Sequence, residues 1–243
     1  MDRALADMKQ CLIHHLQNTA KEALNFAKDL YLEIISQRLY VVSEGTLKLH
    51  PTSLRRIIHV SSLLHDIGKA ADQYQNQFTR CISNPNFKPS FLLHEVPSAV
   101  ICYRFACTLN AEDEEIFFMT FSTLNHMNAM RPLQKIKLLL KQMYNKNWSF
   151  LRWGSSMLPI FEEISISYAS ELMQEVTYIE AEKLLQWCDK IINNRNLRWP
   201  KLYSLIMNPI IYGDNVSALE RGDQMFMSAS RKKFIKELKE ALI

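Results

Sequence analysis

Turn-forming residues are scarce in this chain, which has 5 glycines and 8 prolines among its 243 residues. Glycine supplies the left-handed and tightly turned conformations that strand connections need, so a fold built from many short strands is disfavoured. Long stretches instead repeat apolar residues at a helical period, as at Leu12, Leu16, Ala20 and Ala23. The sequence therefore predicts an all-α fold, and its strand signals are weak.

Helix-breaking and helix-capping residues indicate where the predicted helices begin and end. Residues 3–39 are predicted to form one long helix or two in tandem, followed by a loop over residues 41–51. Thr52 or Ser53 is a candidate cap for the next helix, and Gly68 is predicted to end it. A further helix is predicted to start near His94, because Pro97 is tolerated in a first turn. The remaining predicted helices cover residues 112–127, 131–143, 155–191, 202–220 and 231–243.

Composition limits the class of protein. With 48% hydrophobic residues, no repeat and no clear linker, the chain is predicted to form a single domain over residues 1–243. The five cysteines include no CxxC pair and indicate reduced thiols, as in the cytoplasm. We expect no signal peptide and no membrane span, because no long uncharged apolar run occurs. The net charge of +4 favours anionic partners.

The segment "LLHDIGKA", residues 63–70, places His65 and Asp66 side by side at the predicted end of an apolar helix. A carboxylate is unfavourable there, because the helix macrodipole is negative at that end. A compensating positive charge is therefore expected, either from Lys69 or from a bound metal ion. The two side chains are about 100° apart around the helix and can both reach an ion between them. The simpler alternative is an ordinary helix end with an Asp66–Lys69 ion pair.

Other metal-ligand residue types lie on helix faces or near helix ends. His15 is on the apolar face of the first predicted helix, where a core histidine bonded to a backbone carbonyl is the alternative. His94 is at a predicted helix start and His126 near a helix end. Asp214 follows an apolar run. Singly, each of these three residues is also compatible with a cap, a core-edge histidine or an ordinary ion pair.

Taken in order, these residues resemble the HD superfamily of metal-dependent phosphohydrolases. The resemblance is closest to the HD nuclease domain of the type I CRISPR effector helicase–nuclease. It rests on "HLQNTAKEA", "LLHDIGKA", "LLHEVPSAV" and "GDNVSALERG", which span nearly the whole chain. It implies a single HD-domain helical bundle with a metal-binding cleft.

The resemblance also implies which residues bind metal. A first ion would be held by four residues, His15, His65, Asp66 and Asp214, and a second by Asp66, His94 and His126. Asp66 would bridge the two ions, since a carboxylate has two oxygens. Members of this branch commonly have two adjacent histidines where this chain has Asn125 and His126. The second ion is therefore expected to bind weakly, or only when substrate is present.

The residue types suit a particular chemistry. Imidazole and carboxylate ligands suit Mn²⁺, Fe²⁺, Ni²⁺ or Co²⁺, and less exclusively Mg²⁺ or Zn²⁺. One or two such ions would lower the pKa of a bound water and stabilise the displaced oxygen of a phosphodiester. Asp66 and Lys69 are the predicted catalytic residues, with Lys69 placing positive charge near the scissile phosphate.

A basic segment over residues 131–153 contains no acidic residue and has Tyr144, Trp148 and Trp153 interleaved. Basic residues mixed with aromatics suit a phosphate backbone with stacked bases. The predicted nucleic-acid contacts are Arg131, Lys135, Lys137, Lys141, Lys146 and Arg152. The alternative is a solvated helix face whose aromatic residues belong to the core.

No GxxxxGK[ST] motif occurs, so this chain is not expected to be an ATP-driven motor by itself. The resemblance then implies a stand-alone nuclease with a separate helicase subunit and an RNA-guided CRISPR complex. The expected function is metal-dependent hydrolysis of phosphodiester bonds in DNA, with RNA as a further substrate, during CRISPR interference. One alternative is an HD-superfamily phosphohydrolase that acts on dNTPs or signalling nucleotides. Another is a non-catalytic subunit that binds nucleic acid.

Overall fold

Helices form most of the regular structure in a computed structural model of the chain. The structure describes residues 5–7, 10–84, 86–109, 111–127, 131–145, 149–150, 160, 162, 172 and 174–220. The strands among these residues are two or three residues long and form two small antiparallel pairs. The prediction of an all-α fold is therefore confirmed.

The elements follow one another along the chain in a simple order. The first helices are α1 (Leu12–Phe26), α2 (Asp29–Val42), α3 (Pro51–Leu64), α4 (Asp72–Ser83) and α5 (Glu95–Thr108). They are followed by α6 (Asp113–Asn125), α7 (Leu133–Met143), α8 (Tyr178–Ile192) and α9 (Tyr203–Glu220). Short 3₁₀ helices cover Ile67–Ala70 and Trp199–Leu202. The strands are β1 (Leu5–Asp7), β2 (Gln10–Cys11), β3 (Ser149–Phe150) and β4 (Val176–Thr177).

The N-terminal segment corrects one prediction. Two tandem helices do form, but residues 5–7 and 10–11 pair as two short antiparallel strands in which Leu5 opposes Cys11. The side chain of Gln75 stabilises this strand pair, since it accepts from Leu5 N at 2.8 Å and donates to Leu5 O at 3.0 Å. This contact joins residues 70 positions apart, so local periodicity gives no sign of it.

Both predicted boundaries of α3 are wrong. The N-cap is His50, whose Nδ1 accepts from Thr52 N at 3.3 Å, and Pro51 opens the helix. The helix ends at Leu64, and Gly68 lies in the following 3₁₀ turn. Glycine is needed at that position for close packing, because an added Cβ would lie 2.1 Å from the carbonyl oxygen of His94. Gly68 thus brings the turn that carries Asp66 against the start of α5.

Other predicted helices agree with the structure to within a few residues, namely α5, α6, α7 and α9. The predicted helix over 155–191 is observed as α8 in its last part, where β4 precedes it. Most of residues 155–173 and all of residues 231–243 lie outside the described residues, so those predictions stay untested. The same holds for the prediction of a single domain over 1–243. Among the described helices, none has both the length and the apolar character needed to cross a bilayer.

The packing of α9 against α1 brings the two ends of the described chain together. Gly213 makes this possible, because a Cβ there would lie 2.3 Å from Thr19 O and 3.0 Å from Ala23 N. Both helices also belong to the buried core, to which Leu12, Leu16 and Ile206 contribute. The close approach places Asp214 beside the first turn of α1.

We predict that Gly213→Ala lowers the free energy of unfolding by about 1–3 kcal/mol, the usual cost of overpacking a tightly packed core. The added methyl group would push α9 away from the backbone of α1. Urea unfolding followed by circular dichroism measures the change. Asn208→Ala, at an exposed position of the same helix, is the control and should stay within about 0.5 kcal/mol of the parent. Equal stability of the two variants would contradict the close contact.

Candidate metal centre

Helix ends deliver most of the predicted site residues to one place. His65 and Asp66 directly follow α3, His126 directly follows α6, and His94 directly precedes α5. His15 comes from the first turn of α1, and Asp214 from α9. The structure brings all six side chains together in two groups, within each of which the ligand-type atoms lie within 4.8 Å of one another.

The first ligand group consists of His15, His65, Asp66 and Asp214. Nε2 of His15 lies 3.1 Å from Oδ2 of Asp66 and 3.4 Å from Oδ1 of Asp214. Nε2 of His65 lies 3.4 Å and 3.9 Å from the same two oxygens. The ligand-type atoms of two imidazoles and two carboxylates thus lie close enough together for one metal ion to contact all four.

The second ligand group consists of Asp66, His94 and His126. Here Oδ1 of Asp66 lies 2.7 Å from Nε2 of His94 and 3.3 Å from Nε2 of His126. The two Nε2 atoms are 3.3 Å apart. Asp66 therefore presents one carboxylate oxygen to each group, which is the arrangement that a bridging carboxylate requires.

The outer nitrogens of three imidazoles are bound to backbone carbonyls. Nδ1 of His65 donates to Ser62 O at 2.7 Å, and Nδ1 of His126 donates to Thr123 O at 2.7 Å. Nδ1 of His94 donates to Phe91 O at 2.5 Å. A carbonyl can only accept, so Nδ1 carries the proton and Nε2 of each neutral ring keeps its lone pair toward Asp66.

Lone pairs therefore meet around Oδ1 of Asp66 without a matching donor. In the second ligand group, two Nε2 atoms and Oδ1 of Asp66 converge, and that oxygen has no hydrogen-bond partner. Nε2 of His65 is likewise buried without a partner. Leaving such atoms unsatisfied costs about 1–3 kcal/mol each, and a divalent cation would satisfy them together. The residues present thus fit a metal ion.

The site is mostly closed to solvent. His15, His65, Asp66, His94 and His126 are all buried. Asp214 is 21% exposed and the Lys69 side chain 14% exposed, so these two residues mark the open side. A substrate that reaches the cluster would approach past them.

Burial and the carboxylates act in opposite directions on the histidines. Burial lowers the pKa of His15 to about 4, although Asp66 and Asp214 oppose it. Burial also acts to lower the pKa of His65, but the charges of Asp66 and Asp214 outweigh it and raise that pKa to about 9. The pKa of His126 is lowered, mainly by burial.

Both aspartates are held in the charged form. Burial acts to raise the pKa of Asp66, but Lys69 and the surrounding histidines hold it well below its usual range. Burial acts to raise the pKa of Asp214 as well, and here His65 and His15 hold it low. Two carboxylates that stay ionised provide the negative charge that a cation site needs.

Lys69 reaches the cluster directly. Its Nζ lies 2.5 Å from Oδ2 of Asp66 and 5.3 Å from the centre of the Phe91 ring. The Asp66–Lys69 ion pair of the simpler alternative is therefore present. It does not exclude a metal ion, because Lys69 leaves the lone pairs around Oδ1 of Asp66 unsatisfied.

Asn125 bonds back along its own helix. Its Nδ2 donates to Phe121 O at 3.0 Å, and the side chain is buried. The amide nitrogen therefore has a structural partner within α6. His126 is the residue of this pair that belongs to the second ligand group.

The basic segment separates into residues with different partners. Arg131 binds the buried carboxylate of Glu95, with Nε–Oε1 at 2.5 Å and Nη2–Oε2 at 3.1 Å. Nζ of Lys137 lies 2.9 Å from Oδ2 of Asp189. These ion pairs correct the prediction for Arg131, because its guanidinium neutralises a buried acid and is not free for phosphate.

The other members of the predicted set divide into two kinds. Lys135 and Lys141 are exposed on α7. Lys146 and Arg152 lie outside the described residues, as do Trp148 and Trp153. Contact with nucleic acid stays a prediction for these four basic residues and for Lys137, whose ammonium is paired with Asp189.

Three residues near the cluster have roles that sequence reasoning missed. Ser98 Oγ accepts from Gly68 N at 2.8 Å and donates to His94 O at 2.9 Å, which fixes the two turns to each other. Glu95 pairs with Arg131, and Ser217 meets His15. The position of Ser217 three residues after Asp214 on a helix was the available signal, since that spacing puts both on one face.

The fold and the site define an all-α metal-centre domain in which four histidines and two aspartates form two ligand groups that share one carboxylate. A scan against models of known protein families gives no match. The chain is 27% identical over 225 residues to the CRISPR-associated endonuclease Cas3-HD of Saccharolobus solfataricus, covering 90% of this chain and 89% of that protein.

A solved structure gives the same result for the fold. The CRISPR-associated Cas3 HD domain protein of Methanocaldococcus jannaschii matches with a TM-score of 0.61 and 19% identity, over 86% of this chain and 100% of that one. Together the two comparisons confirm the resemblance to the stand-alone HD nuclease domain of the type I CRISPR effector.

We predict that Arg131→Ala lowers the free energy of unfolding by about 3–5 kcal/mol, because it leaves the buried carboxylate of Glu95 without its partner. Lys141→Ala, on the exposed face of the neighbouring helix, should change stability by less than about 0.5 kcal/mol. Urea unfolding of both variants tests this. If Arg131→Ala is as stable as the parent but binds DNA more weakly, Arg131 contacts nucleic acid and the structural role is wrong.

We also predict that metal binding strengthens as pH rises. With its pKa raised to about 9, His65 holds a proton at pH 7 in the metal-free protein, and an ion must displace it. Apparent affinity should therefore increase about tenfold for each pH unit between pH 6.5 and 8.5, with about one proton released per ion. Calorimetric titration with Mn²⁺ in buffers of different ionisation enthalpy counts these protons.

The control for this titration is a matched pair of variants. His65→Gln should lose affinity and most of the pH dependence, whereas His14→Gln, at the exposed neighbour of His15, should behave as the parent. Binding that is independent of pH in the parent would contradict the role given to His65.

Proposed function

We propose that this chain is a metal-dependent nuclease that hydrolyses phosphodiester bonds of DNA, with RNA as a further substrate, during CRISPR interference. The observation that carries the proposal is the position of Asp66, which offers one oxygen to each of two imidazole-rich groups. A shared carboxylate between two such groups suits a pair of ions that act on one phosphate.

The first ligand group would hold one ion and the second ligand group another. Such ions supply activation of water and neutralise the negative charge that builds up on the phosphate. The imidazole-rich donor set favours Mn²⁺, Fe²⁺, Co²⁺ or Ni²⁺ over Mg²⁺. The second ligand group has three residues against four in the first, which supports weaker binding of the second ion.

Residues of the chain itself would hold the two ligand groups in place and contact the substrate. Asp66 fixes the two groups relative to each other, because both contact its carboxylate. Lys69 lies on the open side with its ammonium next to this carboxylate, where it is placed to contact a phosphate oxygen. The carbonyl-bound Nδ1 atoms keep three imidazoles aimed at the centre.

The proposed substrate contacts are the exposed lysines of α7, Lys135 and Lys141, together with Lys146 and Arg152. Lysine contacts to phosphates are independent of base sequence and weaken as salt increases. This supports a nuclease whose targeting comes from other components. We therefore propose a separate helicase subunit and an RNA-guided CRISPR complex as partners, a cytoplasmic location, and a single domain over residues 1–243.

A nucleotide phosphohydrolase is the second candidate. The burial of five of the six ligand residues favours it, since a small substrate enters a closed site more readily than a polymer does. The two candidates share the same metal chemistry and differ in substrate. Incubation with end-labelled single- and double-stranded oligonucleotides and, separately, with dNTPs separates them by their products.

We predict that Asp66→Ala reduces metal-stimulated cleavage by at least about 100-fold, because loss of even an outer partner of a metal ligand costs about 10- to 100-fold. DNA binding should stay near that of the parent, since it depends on lysine contacts. Cleavage of labelled DNA and filter binding at fixed salt give the two measurements. The matched control is Asp72→Ala, an exposed aspartate that is in neither ligand group.

Two outcomes would contradict this assignment, provided that circular dichroism shows a folded variant. Retained cleavage in Asp66→Ala would remove the shared carboxylate from the mechanism. Equal loss of cleavage and DNA binding would give Asp66 a structural role. Binding of DNA by the parent without any metal-stimulated cleavage would instead support the non-catalytic subunit.

A further inference from the structure

We propose that Ser217 is a positioning residue whose hydroxyl supports His15 in both tautomers, so that His15 can exchange its bond to Asp66 for a bond to a metal ion. This inference rests on the proposed metal-dependent function. It concerns the one imidazole of the cluster whose outer nitrogen faces a hydroxyl group, which can donate as well as accept.

The other three histidines have no such choice. Their Nδ1 atoms donate to the carbonyl oxygens of residues three positions earlier. Because a carbonyl cannot donate, these rings keep the proton on Nδ1 whether or not an ion is present. When neutral, each of these rings therefore presents its Nε2 lone pair to the cluster without moving the Nδ1 proton.

His15 is placed differently. Its Nδ1 lies 3.1 Å from Oγ of Ser217, which is 202 positions away on α9 and fully buried. A hydroxyl can both donate and accept, so it can serve either protonation state of Nδ1. Ser217 Oγ also lies 3.3 Å from the carbonyl oxygen of His15, which gives the hydroxyl proton a second acceptor.

These distances define two arrangements with the same heavy-atom positions. In the first arrangement, Ser217 donates to Nδ1, and Nε2 carries the ring proton and donates to Oδ2 of Asp66 at 3.1 Å. In the second arrangement, the hydroxyl turns to the carbonyl of His15 and Oγ accepts from Nδ1. Nε2 then has a free lone pair. The first arrangement suits the metal-free protein, and the second suits a bound ion.

One face of α9 carries both Asp214, which belongs to the first ligand group, and Ser217, which contacts the ligand residue His15. Asp214 and Ser217 are three residues apart, and Nε2 of His15 lies 3.4 Å from Oδ1 of Asp214. Removing the hydroxyl would leave Nδ1 of the metal-binding tautomer buried without an acceptor. Affinity of the first ligand group should then fall by about 10- to 100-fold, as for other outer partners of metal-ligating histidines.

The experiment compares the full chain with Ser217→Ala, Ser217→Thr and Ser61→Ala. Thr keeps the hydroxyl, and Ser61 is a buried serine whose Oγ donates to Met119 O at 3.2 Å. Long-range ¹⁵N–¹H spectra of histidine-labelled protein, recorded without metal and with the diamagnetic ion Zn²⁺, report the tautomer of His15. Calorimetric titration with Zn²⁺ reports affinity.

In the parent, His15 should carry its proton on Nε2 without metal and on Nδ1 with Zn²⁺. Ser217→Ala should bind Zn²⁺ about 10- to 100-fold more weakly. Ser217→Thr and Ser61→Ala should resemble the parent. If Ser217→Ala does not fold, Ser217→Cys replaces it, because a thiol keeps the volume but is a weaker acceptor and should weaken binding in the same direction.

The inference is overturned if His15 of the metal-free parent already has its proton on Nδ1. It is also overturned if the folded Ala or Cys variant binds Zn²⁺ as the parent does, and in that case the proposed function still stands. A parent that binds neither Zn²⁺ nor Mn²⁺ removes the proposed function itself, and the inference with it.

Discussion

The buried carboxylate of Asp66 is the centre on which the rest of this structure depends. A charged carboxylate is expensive to bury without compensation. Its two oxygens lie within 3.4 Å of an ammonium group and four imidazole nitrogens, those of Lys69, His15, His65, His94 and His126. These groups come from α1 and from the ends of α3, α5 and α6, so the packing of these four helices and the local electrostatics are set by the same contacts.

Helix ends suit this task for a simple physical reason. The last carbonyl groups of a helix have no partner within the helix and need a donor. His65 and His126, just after α3 and α6, supply that donor through Nδ1, and in doing so they turn Nε2 toward Asp66. At these two positions, one hydrogen bond therefore both satisfies the end of the helix and orients the imidazole.

The residues of the cluster were predictable, whereas several helix boundaries and pairings were not. His65, Asp66 and Lys69 share one short segment, so their types and order carry the information. The roles of Gly68 and Arg131 depend on contacts with Ser98 and Glu95, which are 30 and 36 positions away. Helical periodicity is a local signal and gives no information about contacts between distant positions of the sequence. Arg131 consequently looked like part of a basic surface until the structure showed its partner.

The contact between α1 and α9 has a consequence for synthesis of the protein. His15 emerges from the ribosome early, whereas Asp214 and Ser217 emerge about 200 residues later. The second ligand group has no member beyond His126, so all its ligands are synthesised well before α9, whereas the first ligand group needs Asp214. A chain whose synthesis ends before α9 would therefore have an incomplete centre. Any activity that depends on the first ligand group would thus begin only once translation has passed α9.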